Sequence, residues 1–143
     1  MSVFILDNLG MDTTEVTLQM FAQADLLAFQ NKYAEAIAKL DSIKILFPEH
    51  SLDDDVLYTK AQIYRKLRKT DEMISMYNTI IEKFPTEIKA DNAIYELAEL
   101  YETKLNEPEK AKVLYEKIFT DYSASTFAFE ARQRYRKLRG YEL

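Results

Sequence analysis

A helical motif returns along this chain every 37 residues, and few folds accommodate such a period. Its clearest copy is Ala90-Asp91-Asn92-Ala93-Ile94-Tyr95-Glu96-Leu97-Ala98-Glu99-Leu100-Tyr101. Ala90, Ala93/Ile94, Leu97/Ala98 and Tyr101 recur three and four apart, which makes one apolar stripe on a helix and turns Asp91, Glu96 and Glu99 elsewhere. Weaker copies lie upstream, at Leu57-x2-Lys60-Ala61-x2-Tyr64 and Met20-x2-Gln23-Ala24-x2-Leu27, so that Ala24, Ala61 and Ala98 are evenly spaced by 37. A companion helix repeats as well: Ala36-x3-Leu40…Pro48, Met73-x3-Tyr77…Pro85 and Ala111-x3-Tyr115…Ser123. The last step is 38 residues, which assigns one extra residue to the Leu105–Pro108 turn. Small residues such as Ala24, Ala36, Ala61, Ala98 and Ala111 suit the crossing points of paired helices, where bulky side chains would hold the axes apart. Helix pairs at this period predict a stacked array, in which each hairpin buries its apolar face on the next.

Start and stop signals predict about seven helices. The first runs from about Thr14 to Gln30 with Asp12 or Thr13 as its cap, and the second follows the Asn31-Lys32 turn to Phe47, where Pro48 stops it. The third begins after Ser51, with Asp53, Asp54 and Asp55 in its first turn, and ends near Leu67. The fourth spans about Asp71 to Phe84 before Pro85, and the fifth about Glu87 to Lys104. Pro108 opens the sixth, which reaches Asp121 or Tyr122, and the seventh covers about Ser125 to Arg139 before Gly140. Asn31 adopts a left-handed turn at little cost and Arg68 does not, which predicts a different turn in the second hairpin. Residues 1–12, with Val3-Phe4-Ile5-Leu6 and the turn-like Asp7-Asn8-Leu9-Gly10, read as an N-terminal arm or the remnant of an upstream segment.

Composition narrows the function classes. The 143 residues include two glycines, three prolines, ten tyrosines and eight phenylalanines, a balance that favours helices with aromatic packing over a turn-rich β fold. Without cysteine there are no disulfides and no thiolate chemistry. The net charge of −5 is uneven: Arg132, Arg134, Arg136, Lys137 and Arg139 against Glu130 and Glu142 leave +3 on residues 125–143 and −8 on the rest. An acidic body argues against a nucleic-acid footprint, and no apolar run is long enough for direct membrane insertion as a helix.

The order Ile94-x2-Leu97-Ala98-x2-Tyr101 followed by Ala111-x3-Tyr115 resembles the tetratricopeptide repeat (TPR). The resemblance covers about residues 13–139 and implies an all-α, right-handed α-solenoid of three helix hairpins (13–48, 51–85 and 86–123) with a capping helix at 125–139. These would form one domain over 13–143. The period of 37–38 and the closing Phe47-Pro48 and Phe84-Pro85 pairs are most similar to bacterial envelope-type repeats. That similarity implies a periplasmic or envelope-associated setting, with a cytoplasmic one left open, and a place near the C-terminal end of a longer multi-repeat protein. The chain departs from the pattern in lacking tryptophan, in carrying Asn31 and Arg68 at the turns, and in placing Ser123 where a third proline would stand.

Few residues invite chemistry. His50 is the single histidine and sits in an inter-helix turn, where a surface role is the ordinary one. Asp53, Asp54 and Asp55 point about 100° apart on a helix and cannot converge on one ion, and two glycines cannot form a phosphate loop. No catalytic residue, metal ligand or cofactor site is therefore expected. The resemblance places a partner groove along the first helices of the hairpins, at Asp25 and Phe29, at Tyr58, Gln62 and Arg65, at Tyr95, Glu99 and Glu102, and at Gln133 and Lys137. Where family members clamp a C-terminal carboxylate, this chain has Phe21, Asp25, Thr59, Asn92 and Glu96. The partner expected is another protein or peptide that is not strongly acidic, held by Tyr58, Tyr95 and Arg65, with Glu99 and Glu102 favouring neutral or basic segments. A purely structural role as cap or spacer in an envelope assembly complex is the alternative. The terminal helix, with Phe127, Ala131, Tyr135 and Leu138 as its apolar stripe, either caps the array or supports self-association through its basic face.

Overall fold

The computed structural model of the protein describes residues 13–48 and 52–140. Among these, regular structure consists of seven helices: α1 (Thr13–Phe29), α2 (Tyr33–Leu46), α3 (Asp53–Lys66), α4 (Thr70–Lys83), α5 (Ala90–Thr103), α6 (Pro108–Asp121) and α7 (Ala128–Leu138). The fold is all-α and built of helix hairpins. The expectations for residues 1–12 and for His50 lie outside the described residues. The chain forms two compact units, one ending at Met73 and the other beginning at Ile74.

In the first unit α1 and α2 pair along their length, and α3 packs on α2. Ala24 of α1 meets Ala36, Leu40 and Ile43 of α2 and Val56 and Ile63 of α3, with Met20, Phe21, Leu27 and Ile37 around them. Val16 and Phe47 close the far end of the hairpin. Lys60 of α3 is ion-paired with Asp41 of α2. The three aspartates do occupy the first turn of α3, where exposed amide groups favour negative charge, and Lys44 lies 3.5 Å from Asp53.

In the second unit α5 pairs with α6, and α6 with α7. Ile94, Tyr95, Ala98, Ala111, Tyr115, Ile118 and Ala131 form its core. The repeat is visible in burial. Ala24, Ala61 and Ala98 are fully buried, and so are Leu40, Tyr77 and Tyr115 on the companion helices.

The turns repeat more faithfully than the sequence predicts. Asn31, Arg68 and Asn106 stand one repeat apart and all take the left-handed conformation, with φ of 64°, 60° and 53°. Behind α1 the Lys32 amide donates to the Leu27 carbonyl at 2.8 Å and the Asn31 amide to Ala28 at 2.9 Å. Behind α3 the same two bonds run from Lys69 to Tyr64 at 2.9 Å and from Arg68 to Arg65 at 3.1 Å. The expectation of a different second turn is thus corrected. Capping two carbonyls that a helix end leaves without partners outweighs a left-handed penalty of roughly 1–2 kcal/mol at Arg68. Only the third turn differs: its extra residue lets the Lys104 and Leu105 amides share the Leu100 carbonyl, while the Glu107 amide reaches Tyr101.

The fifth and seventh helices begin three residues later than predicted, at Ala90 and Ala128 rather than Glu87 and Ser125. The preceding residues form matched turns. Glu87 donates to Phe84 and Ala90 to Glu87, as Ser125 does to Tyr122 and Ala128 to Ser125. Ser123 therefore builds the same loop as Pro85. Asp91 joins the two levels: its Oδ2 accepts from the Ser125 hydroxyl at 2.6 Å, and that hydroxyl accepts from the Phe127 amide at 3.0 Å. Tyr122 adds a bond to the Pro85 carbonyl at 2.6 Å.

Candidate functional site

The ten positions expected to line a groove are best described unit by unit. In the first unit they lie on α1 and α3, which touch each other. Asp25, Phe29 and Arg65 are exposed, and Tyr58 and Gln62 are half-buried. Phe29 stands out, with 85% of its surface open. An aromatic ring in water costs free energy that burial against a partner would recover.

In the second unit the same helical register has another use. Tyr95 was expected to face the groove; it is 8% exposed. Its ring stacks on Phe127 with centroids 4.7 Å apart and meets the edge of Tyr115 at 5.8 Å. The start of α7 thus rests on Tyr95, and the tyrosine is packing. Burial raises the Tyr95 hydroxyl pKa, against the opposing pull of Arg134.

Glu99 and Glu102 are likewise engaged within the molecule. Arg134 Nη1 donates to Glu102 Oε1 at 3.0 Å, its Nε donates to Glu130 at 3.1 Å, and its Nη2 lies 3.6 Å from Glu99. The Tyr115 hydroxyl donates to the same Glu102 oxygen at 2.7 Å and accepts from Arg134 Nη1 at 3.4 Å. One guanidinium therefore serves three carboxylates and a phenol, spanning α5, α6 and α7. Burial and the Glu102 acceptor drive the Tyr115 pKa upward, so this hydroxyl keeps its proton across the ordinary pH range. Desolvation works against the charge on Arg134, but hydrogen bonds to Tyr115, Glu130 and Glu102 overcome it and raise its pKa further. Gln133 and Lys137 stay exposed on α7.

The sequence places Arg134 on the basic terminal helix and Tyr115 at a repeat position of the sixth, with little to join them. The only hint of the cluster is Glu130 four residues before Arg134, a spacing that also fits an ordinary surface pair. The meeting with Glu102, 32 residues away, depends on the packing of three helices. Two further arginines lie over rings, Arg132 of α7 at 4.6 Å from Phe119 and Arg139, just past its end, at 5.6 Å from Tyr135.

Among the described residues no group of three or more histidine or acidic side chains is placed to hold a metal ion, and no helix is long and apolar enough to cross a membrane. No curated protein matches the sequence. The family model of the tetratricopeptide repeat matches residues 55–86 and 92–125. Those segments begin 37 residues apart, the first running over helices α3 and α4 and the second over α5 and α6. Two adjoining family matches, the 37-residue recurrence of buried alanines and the repeated left-handed turns make this chain a tetratricopeptide-repeat protein.

Proposed function

We propose that this chain, whose repeats are of a kind that generally mediates protein–protein interactions, is a non-catalytic interaction module that takes an extended or helical segment of a partner against the first helices of its hairpins. The supporting observation is the α1–α3 face of the first unit, whose register positions carry an open aromatic ring at Phe29, a half-buried one at Tyr58 and an exposed cation at Arg65. Aromatic residues and arginine supply much of the energy in protein interfaces. A fitting segment carries apolar side chains for Phe29 and Tyr58 and an acceptor for Arg65. Asp25 disfavours a strongly acidic one. In the second unit Arg134 already holds Glu99 and Glu102.

The test is selection of binding peptides from a displayed library, followed by affinity measurement on variants. Tyr58→Ala and Arg65→Ala are each expected to weaken binding by about tenfold or more with helicity unchanged. Equal affinity for both variants and the parent would remove the α1–α3 face from the reading.

A second role, as the cap of a helical array, draws support from α7. One repeat after Ile94, Ala98 and Tyr101, which face the companion helix, α7 carries Arg132, Arg136 and Arg139. A large cation in place of Ala98 leaves no room for another companion helix to approach closely. This reading predicts that Arg136→Ala leaves peptide binding intact.

A further inference from the structure

In α5 the row Ile94, Ala98 and Tyr101 gathers with Ala111 and Tyr115 of its companion α6 in one core. The same register reads Met20-Ala24-Leu27 in α1 and Leu57-Ala61-Tyr64 in α3, so the row is apolar with a central alanine in three copies. One repeat further on, in α7 and just past its end, it reads Arg132-Arg136-Arg139, and all three arginines are exposed. Phe129 precedes them on the same helix and is 72% exposed. Steps of three, four and three keep these four side chains on one side of the helix.

Keeping a terminal helix in water asks only for a polar row. This chain supplies most of its positive charge as lysine, thirteen against six arginines, yet four of the six arginines fall within residues 132–139 beside a single lysine. Interfaces favour arginine and aromatic residues and disfavour lysine. Two arginines of the row are also held in place. Arg132 lies 4.6 Å from the Phe119 ring, and Arg139 lies 5.6 Å from the Tyr135 ring and donates to its hydroxyl at 3.3 Å. Side chains held in this way lose less freedom when a ligand arrives. The acid of α7, Glu130, is engaged by Arg134, and Arg136 and Lys137 form no ion pair among the described residues.

We infer that this row takes an acidic helix of a partner protein, with carboxylates spaced four and three for Arg132, Arg136 and Arg139 and an apolar side chain for Phe129. A guanidinium meets a carboxylate through two parallel hydrogen bonds, which fixes the orientation of the pair. The ligand is helical because the same register in α5 receives a helix, and the reach of arginine holds it further out than Ala98 holds α6. The rest of the chain carries −8, which opposes a long polyanion such as nucleic acid or an anionic membrane more than it opposes a short acidic helix. The site lies on the second unit and is separate from the α1–α3 face.

The probe is a fluorescein-labelled peptide of alanine, leucine and glutamate, about 18 residues long so that it is helical, with its glutamates in one row at those spacings. A control of the same composition spreads them around the helix. Fluorescence anisotropy with the full chain is expected to show the first peptide binding about tenfold tighter than the second, and more weakly as salt is added. Arg136→Glu should cost about tenfold or more, and Arg139→Lys, which keeps the charge and loses the fork, about threefold. Both positions are exposed, so circular dichroism should match that of the parent. Equal affinity for the two peptides, or binding unchanged in Arg136→Glu, would overturn the inference and leave the row to solvation. Tighter binding to single-stranded DNA or to phosphatidylserine vesicles than to the first peptide would overturn it as well. Tyr58→Ala is expected to leave this affinity unchanged, and peptides held at the α1–α3 face should not respond to Arg136→Glu, so the two readings fail separately.

Discussion

Arg134 is held by three carboxylates and a tyrosine, and only 28% of its side chain is exposed. Removing it leaves Glu102 and the Tyr115 hydroxyl without the cation they share. Arg134→Met is expected to lower stability by about 2 kcal/mol in urea unfolding, the scale of a hydrogen bond to a charged group. Arg134→Lys should recover only part of the loss, since an ammonium cannot reach along several directions in one plane. Tyr115 makes a second prediction, in alkali. Its folded pKa is raised by burial and by Glu102, while an unfolded tyrosine titrates near 10. The unfolded chain therefore releases this proton first as pH climbs. The stabilisation is fully present below about pH 10 and is lost above it. Thermal midpoints between pH 8 and 11 should fall at the alkaline end, and Tyr115→Phe should make that fall shallower. Tyr95 and Tyr122, also raised by burial, add to it.

At the scale of elements, the turns offer the sharpest tests. Arg68 holds φ of 60° for the sake of two capping hydrogen bonds. Glycine accepts that conformation freely, so Arg68→Gly is expected to stabilise the protein by about 0.5–1 kcal/mol in urea unfolding, after its larger unfolded-state entropy is counted. Ser123→Pro tests the equivalence of the two inter-repeat loops. Tyr122 precedes Ser123 with φ −130° and ψ 50°, close to the φ −135° and ψ 69° of Phe47 before Pro48. A proline there should be neutral or stabilising by up to about 1 kcal/mol. A loss of stability would show that the loops differ in a way their hydrogen bonds conceal. The helices themselves were legible because apolar residues at spacings of three and four survive in every copy. The starts of α5 and α7 were not, since Glu87–Lys89 and Ser125–Phe127 have helix-compatible residues and only the turn hydrogen bonds set them apart.

For the whole molecule, the two units have cores of different make. The first rests on aliphatic residues around Leu40, Ile43 and Ile63, and the second on tyrosines held by charged partners. Hydrogen exchange should be slowest for amides of Ala36–Ile43 in the first unit and of Ala93–Ala98 and Ala111–Ile118 in the second, and fastest for the exposed first turn of α1. Fast exchange across Ala111–Ile118 would contradict the tight packing drawn around Tyr115.

The family, the helix count and the alanine positions followed from the sequence alone, because a repeat restates its own pattern and small residues fit only where helices cross closely. The roles of Tyr95, Glu99 and Glu102 did not follow. Register places all three on the first-helix face that other repeats of the kind offer to partners. Whether such a face stays open depends on the next helix along, and here Phe127 covers Tyr95 while Arg134 ties up both glutamates. That outcome rests on contacts between residues some 30 positions apart, which a 37-residue period does not encode and three-helix packing does.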